Sequence, residues 1–155
     1  MISPELLRRF QFFGLLNDNE LKSVAMISDN VQYEKGATIF EESRPADAFF
    51  VLVNGSIDLL YTVIDAYHPE NRKEFSVGEI NPGEPFGISA LIEPFVLTST
   101  ARAATPSEVI RIDGVALRAI MNIDAHLGSH LMRQVAKTAI ERLHTTRIQL
   151  AAAWA

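Results

Sequence analysis

The sequence predicts an α+β domain: an antiparallel β jelly-roll barrel (a double-stranded β-helix) with N-terminal helices and a long C-terminal helix. Two observations predict it. Between residues 31 and 112, short runs of period two, rich in Val, Ile, Phe and Thr, alternate with turns built on Gly, Pro and Asn, the pattern of a barrel or sandwich. On both sides of that stretch the apolar period changes to that of a helix. The 155 residues fit one domain, divided as 1–30 (N-terminal helices), 31–112 (barrel) and 113–155 (C-terminal helices).

Taken in order, Leu6, Leu7, Phe10 and Phe13 are at helical spacing and predict a helix over 2–13. Asn17 and Glu20 have the spacing of a capping box, opening a helix that turns Leu21, Val24, Ala25 and Ile27 inward. Val31–Tyr33 alternates as a strand, Glu34-Lys35-Gly36 turns the chain, and Thr38–Phe40 is a short strand. Phe49–Val53 has the continuous apolar pattern of a buried strand, joined by the Asn54-Gly55 turn to a return strand, Ser56–Tyr61. An irregular loop over 63–72 leads to a strand at Lys73–Val77 and a turn-rich crossing over 78–87. Leu97–Ala104 and Glu108–Ile112 are the last strands. Asp113 is placed to cap a helix over 115–121, and the long helix begins near Asp124.

Composition narrows the chemistry. The chain has no cysteine, which removes disulfides, thiolate catalysis and Cys-based zinc sites and fits a reducing compartment. Net charge is −5, against a domain whose main task is to neutralise nucleic acid phosphates. No signal peptide and no membrane-length apolar run is read, so a cytoplasmic domain without membrane contact is expected.

The stretches Tyr33–Phe40, Ala48–Ile57, Pro82-Gly83-Glu84-Pro85-Phe86-Gly87 and Thr100–Thr105 together resemble the cyclic nucleotide-binding domain family, that of catabolite activators and protein kinase A regulatory subunits. The resemblance covers residues 6 to 143 and implies the jelly-roll fold, a ligand pocket at the phosphate-binding cassette and dimerisation through the C-terminal helix. On this sequence the pocket maps to Phe86, Gly87, Ile88, Ser89, Ala90, Leu97, Thr98 and Ser99. Gly87 precedes a short helix over 88–92, whose first N–H groups would favour an anion. The sequence departs from the family at two charged positions. The acidic residue that follows the cassette glycine is here Ile88, and the arginine about ten residues further on is, without gaps, Leu97. Charge-assisted hydrogen bonds contribute about 1.5–3 kcal/mol each, so losing two or three weakens phosphate binding by roughly a hundredfold or more. Arg102 replaces the missing arginine only if two compensating gaps are allowed; otherwise it is an outward strand charge. Three readings stay open: the cassette side chains fill the barrel end, they hold another small ligand, or they hold a cyclic nucleotide.

A metal-dependent jelly-roll enzyme of the cupin kind needs two or three histidines and a carboxylate in the barrel. Only His68 falls in the strand region, so no metal, no cofactor and no catalytic residue is expected. His126 and His130 share a helix face without a third donor in view. Along the long helix, Ala136, Leu143 and Leu150 repeat at seven, with Met132, Ala139 and Thr146 in the other seam position, a coiled-coil-like stripe suited to a homodimer. Leu127, Leu131 and Val135 are placed to lid the barrel, and Arg133, Lys137, Glu141 and Arg142 to form a solvated face. The chain shows no helix-turn-helix, so no DNA-binding domain is expected. The functional expectation is a non-enzymatic regulatory module acting by dimerisation or through a protein partner; the alternative is a small-molecule sensor with an altered pocket.

Overall fold

A computed structural model describes residues 1–155. Ser3 caps the first helix, α1 (Pro4–Arg8), by accepting the Glu5 N–H at 3.2 Å. The single helix expected over 2–13 is instead α1 followed by a separate 3-10 turn, Gln11–Phe13. Phe10 between them is extended, with φ −93° and ψ 130°. The break lets Phe10, Phe12 and Phe13 all be buried, with the Phe12 ring 4.8 Å from Phe49 and 5.2 Å from Phe13.

The capping box at α2 (Asp18–Met26) forms as the spacing predicts. Asn17 accepts from the Glu20 N–H and Glu20 accepts from the Asn17 N–H, both at 2.9 Å. Leu21, Val24 and Ala25 are buried; Ile27 follows the helix as its C-cap and is half-buried rather than fully inward.

Eight antiparallel strands follow: β1 (Ser28–Tyr33), β2 (Thr38–Phe40), β3 (Ala48–Asn54), β4 (Ile57–Ile64), β5 (Arg72–Ile80), β6 (Pro85–Phe86), β7 (Thr100–Ala103) and β8 (Ser107–Asp113). They form two four-stranded sheets, β1-β8-β3-β6 and β2-β7-β4-β5. The jelly roll is completed by α3 (Gly114–Ile123) and α4 (Ala125–Ala153). Asp113 caps α3 by accepting from the Ala116 N–H, and Asp124 caps α4 by accepting from the Leu127 N–H. No helix is long and apolar enough to cross a membrane.

The larger differences from the sequence reading, in β1, β4, β5 and β7, each have a backbone reason. β1 starts at Ser28 because its ladder with β8 runs from Ser28↔Ile112 to Tyr33↔Ser107; the exposed Asp29 and Asn30 give no apolar alternation to read. The β4–β5 hairpin extends to Ile64 and Arg72, past the barrel wall, where Tyr61, Val63 and Phe75 are left exposed. Gly78 lies within β5 opposite Leu59, next to a bulge, rather than opening the crossing. β7 starts at Thr100, not Leu97, because Leu97 bonds instead to the 43–44 loop: its N–H to Arg44 O at 2.9 Å and its carbonyl to Ser43 N at 2.8 Å. Gly36 and Gly55 adopt φ of 87° and 106°, as the turns require.

Two apolar cores meet at β3. Between the sheets, Phe50 and Leu52 pack with Ile57, Leu59, Ile80 and Phe86. On the opposite face, Phe49 and Val51 pack with Ile110 and Ile112 of β8, the N-terminal helices, and Leu127, Leu131 and Val135 of α4. A strand buried on both faces reads as a continuous apolar run, as 49–53 does.

Gly128 fixes how α4 approaches α3. A Cβ added there meets the Met121 carbonyl oxygen at 2.5 Å. Alanine for glycine inside an exposed helix normally stabilises by about 1 kcal/mol. Here overpacking, typically about 1–3 kcal/mol, outweighs that gain. Gly128→Ala is expected to lower the urea midpoint; an unchanged or raised midpoint contradicts the close contact.

Candidate functional site

The candidate site is the turn after β6. Phe86 is fully buried and stacked on Phe50, with ring centroids 5.1 Å apart and planes at 17°. Gly87 follows in the left-handed region, at φ 68° and ψ 33°. The positive φ favours glycine, and a Cβ there would also sit tightly against Phe50 at 3.1 Å, Ala48 O at 3.3 Å and Phe40 at 3.4 Å. Residues Ile88–Leu91 make one 3-10 turn in place of the predicted 88–92 helix, and the Ala90 N–H is taken by Gly87 O at 3.1 Å.

The structure brings part of the predicted site together. Ala90, Leu91 and Leu97 lie in one apolar cluster, and Ile88 packs against it. Leu97 is 6 % exposed. Ser89 and Ser99 are half-buried and Thr98 is exposed. The neighbouring Thr100 hydroxyl accepts the Glu42 N–H at 3.1 Å. None of the five principal cavities is lined by Phe86–Ala90 or Leu97–Ser99. Arg102 of β7 is paired with Glu74 at 3.1 Å.

Two arginines belong to the site's surroundings that the sequence does not single out for it. Arg118 of α3 donates from Nη1 to Ala90 O at 2.6 Å. Its guanidinium also lies 4.1 Å from the centroid of the Phe95 ring, a cation–π contact. It thus bridges the two ends of segment 90–95. Helical periodicity places Arg142 on a solvated face with Arg133, Lys137 and Glu141. Those three are exposed, but Arg142 is half-buried and donates to the carbonyl of Pro85, just ahead of the turn. Burial lowers its pKa from the usual arginine value, while the charges of Glu84 and Glu141 partly oppose that shift. The aliphatic stem crosses the helix surface toward the barrel, which periodicity alone does not reveal.

The remaining candidates separate. His126 Nδ1 lies 2.9 and 3.0 Å from the two oxygens of the buried Glu20 carboxylate, whereas the His130 ring bonds to Phe12 O at 3.1 Å. Each is engaged by an N-terminal element, and no cluster of three His, Asp or Glu able to hold a metal exists in the chain. The seam residues Met132, Ala136, Ala139, Leu143 and Leu150 are all exposed on α4, while Leu127, Leu131 and Val135 are buried in the core on the outer face of β3 rather than over the barrel interior.

A model of the cyclic nucleotide-binding domain matches residues 30–124. The CRP-like cAMP-activated global transcriptional regulator of Mycobacterium tuberculosis is 24% identical over 147 residues, which are 95% of this chain and 61% of that protein. The chain therefore spans about three fifths of that relative's length. A solved structure from Geobacter metallireducens GS-15, named for cyclic nucleotide binding, matches with a TM-score of 0.79 at 38% identity, covering 93% of this chain and 100% of that one. The regulatory domain of Toxoplasma gondii PKA, crystallised with cAMP, shares the fold at a TM-score of 0.72 and 17% identity, over 89% of this chain and 48% of that one. The chain belongs to the cyclic nucleotide-binding domain family, and its jelly roll with flanking helices is that family's fold.

Proposed function

We propose that this chain is a non-enzymatic regulatory module whose cassette is held closed by its own side chains, and that it signals by pairing through α4 or by engaging a partner protein. The observation that carries the reading is the burial of Leu97 in one cluster with Ala90 and Leu91, with Ile88 packed on it. These side chains stand where the family resemblance implies a carboxylate and a guanidinium. An apolar group cannot reproduce a bidentate guanidinium–phosphate pair. Arg118, bonded to Ala90 O, anchors the turn to α3 without a ligand. A cytoplasmic location is part of the same reading.

Titration calorimetry with cyclic AMP and cyclic GMP tests it. The unaltered chain is expected to bind at least about a hundredfold more weakly than an Ile88→Glu/Leu97→Arg variant that restores both charges, provided circular dichroism shows the variant folded. Micromolar binding by the unaltered chain contradicts the closed cassette.

Pairing through α4 is supported by Met132, Leu143 and Leu150, which are 38%, 50% and 60% exposed along one seam. Sedimentation equilibrium is expected to give a dimer for the unaltered chain and a monomer for Leu143→Glu. A monomeric unaltered chain at every concentration leaves the partner-protein mode alone standing.

A further inference from the structure

Between α4 and the β5–β6 edge lies a cavity of about 270 Å³ with an apolar floor that includes Leu59 and Ile80. Its walls are polar and carry charges of both signs. Arg142 and Lys137 enter from α4; Glu141 enters from α4, Glu79 from β5 and Glu84 from the turn before β6. Two of the glutamates are already committed within the protein: Glu79 accepts from the Ser56 hydroxyl at 2.9 Å and Glu84 from the Asn81 N–H at 2.6 Å. Glu141 is exposed and its carboxylate accepts no hydrogen bond from the chain.

Arg142 is the unusual member. Its guanidinium has five N–H donors and bonds to one neutral acceptor, Pro85 O. Neither Glu84 nor Glu141 is close enough to form an ion pair with it. A cation drawn out of water is costly unless an anion and further acceptors complete it. The planar fork is complementary to a carboxylate or a phosphate. An anion alone would also meet the field of three glutamates, so its occupant needs a cationic end as well.

We infer that this cavity binds a small zwitterion, its carboxylate or phosphate held by Arg142 with Lys137 and its ammonium group by Glu141. The inference rests on the reading of the cassette as closed, since it moves anion recognition from the turn after Gly87 to helix α4. Binding gives Arg142 a stronger acceptor than the Pro85 carbonyl, and so changes the tie between α4 and the barrel.

The test is nuclear magnetic resonance of the ¹⁵N-labelled full chain, read at the Arg142 Nε–H and at the backbone amides of 86–91 and 137–142. The probes are glycine against acetate, and phosphoethanolamine against inorganic phosphate. The first pair tests the carboxylate source and the second the phosphate source. In at least one pair, the zwitterion is expected to move the Arg142 resonance at a concentration about tenfold below that of its amine-free counterpart, and Arg142→Met, which keeps the aliphatic stem, is expected to abolish the remaining shifts at 137–141. Equal responses within both pairs, or no response at Arg142, overturn the zwitterion site. A parallel titration with cyclic AMP separates the two readings. Shifts concentrated at Gly87–Ala90 overturn the closed cassette itself, whereas a silent cassette with a silent Arg142 overturns only the helix site.

Discussion

Strand β3 lies between two cores, and the whole domain depends on that position. Phe49 and Val51 face the helices, Phe50 and Leu52 face the second sheet, and all four side chains are buried. Burying such a side chain stabilises by about 1.5–3 kcal/mol, so this one strand contributes to both the barrel and its helical cover. The cassette turn inherits the constraint. β6 pairs with Phe50 and Val51, Phe86 stacks on Phe50, and Gly87, in the left-handed region, lies close against Phe50, Phe40 and the Ala48 carbonyl. The backbone of the site is therefore positioned by strand pairing with β3 and by aromatic packing against it.

The helices are placed through the other core. Leu127, Leu131 and Val135 bring the first turns of α4 onto β3 and the N-terminal aromatics, and Gly128 lets that helix contact the end of α3. Arg118 then joins α3 to the carbonyl of Ala90, and Arg142 joins the outer part of α4 to the carbonyl of Pro85. The turn is thus held between two helices by guanidinium groups that donate to backbone. Under the proposed function, displacement of either contact is how a change at the turn reaches α4, and the exposed seam of α4 carries it to a second molecule.

Much of the fold is legible in the sequence where the signal is local. The Asn17–Glu20 capping box, the Asp113 and Asp124 caps and the positive-φ glycines at 36 and 55 each depend on residues within a few positions of one another. The two-sided burial of 49–53 is legible because a strand-length run without polar residues leaves neither face suited to water. The break after α1 is not, since Phe10 and Phe13 keep helical spacing while the chain between them leaves the helix to bury Phe12 as well. The outer end of β4, residues 62–64, escapes a pattern reading because a strand that runs past the core loses its alternation, although its partner at Lys73–Val77 is legible. At the site, the glycine and its apolar neighbours can be placed by pattern, but the arginines cannot. Arg118 and Arg142 reach partners 28 and 57 residues away in sequence, and a long flexible side chain carries no periodic trace of where its end lies.

A cassette turn that is complete without a ligand must keep its own hydrogen bonds in the free protein. Native-state hydrogen exchange at the Ala90 amide, bonded to Gly87 O, measures this. Strong protection in the ligand-free chain, unchanged when cyclic AMP is added, is the expected result. Exchange at an unprotected rate that becomes slow only with cyclic AMP would contradict the closed cassette, because the turn would then need the phosphate to form.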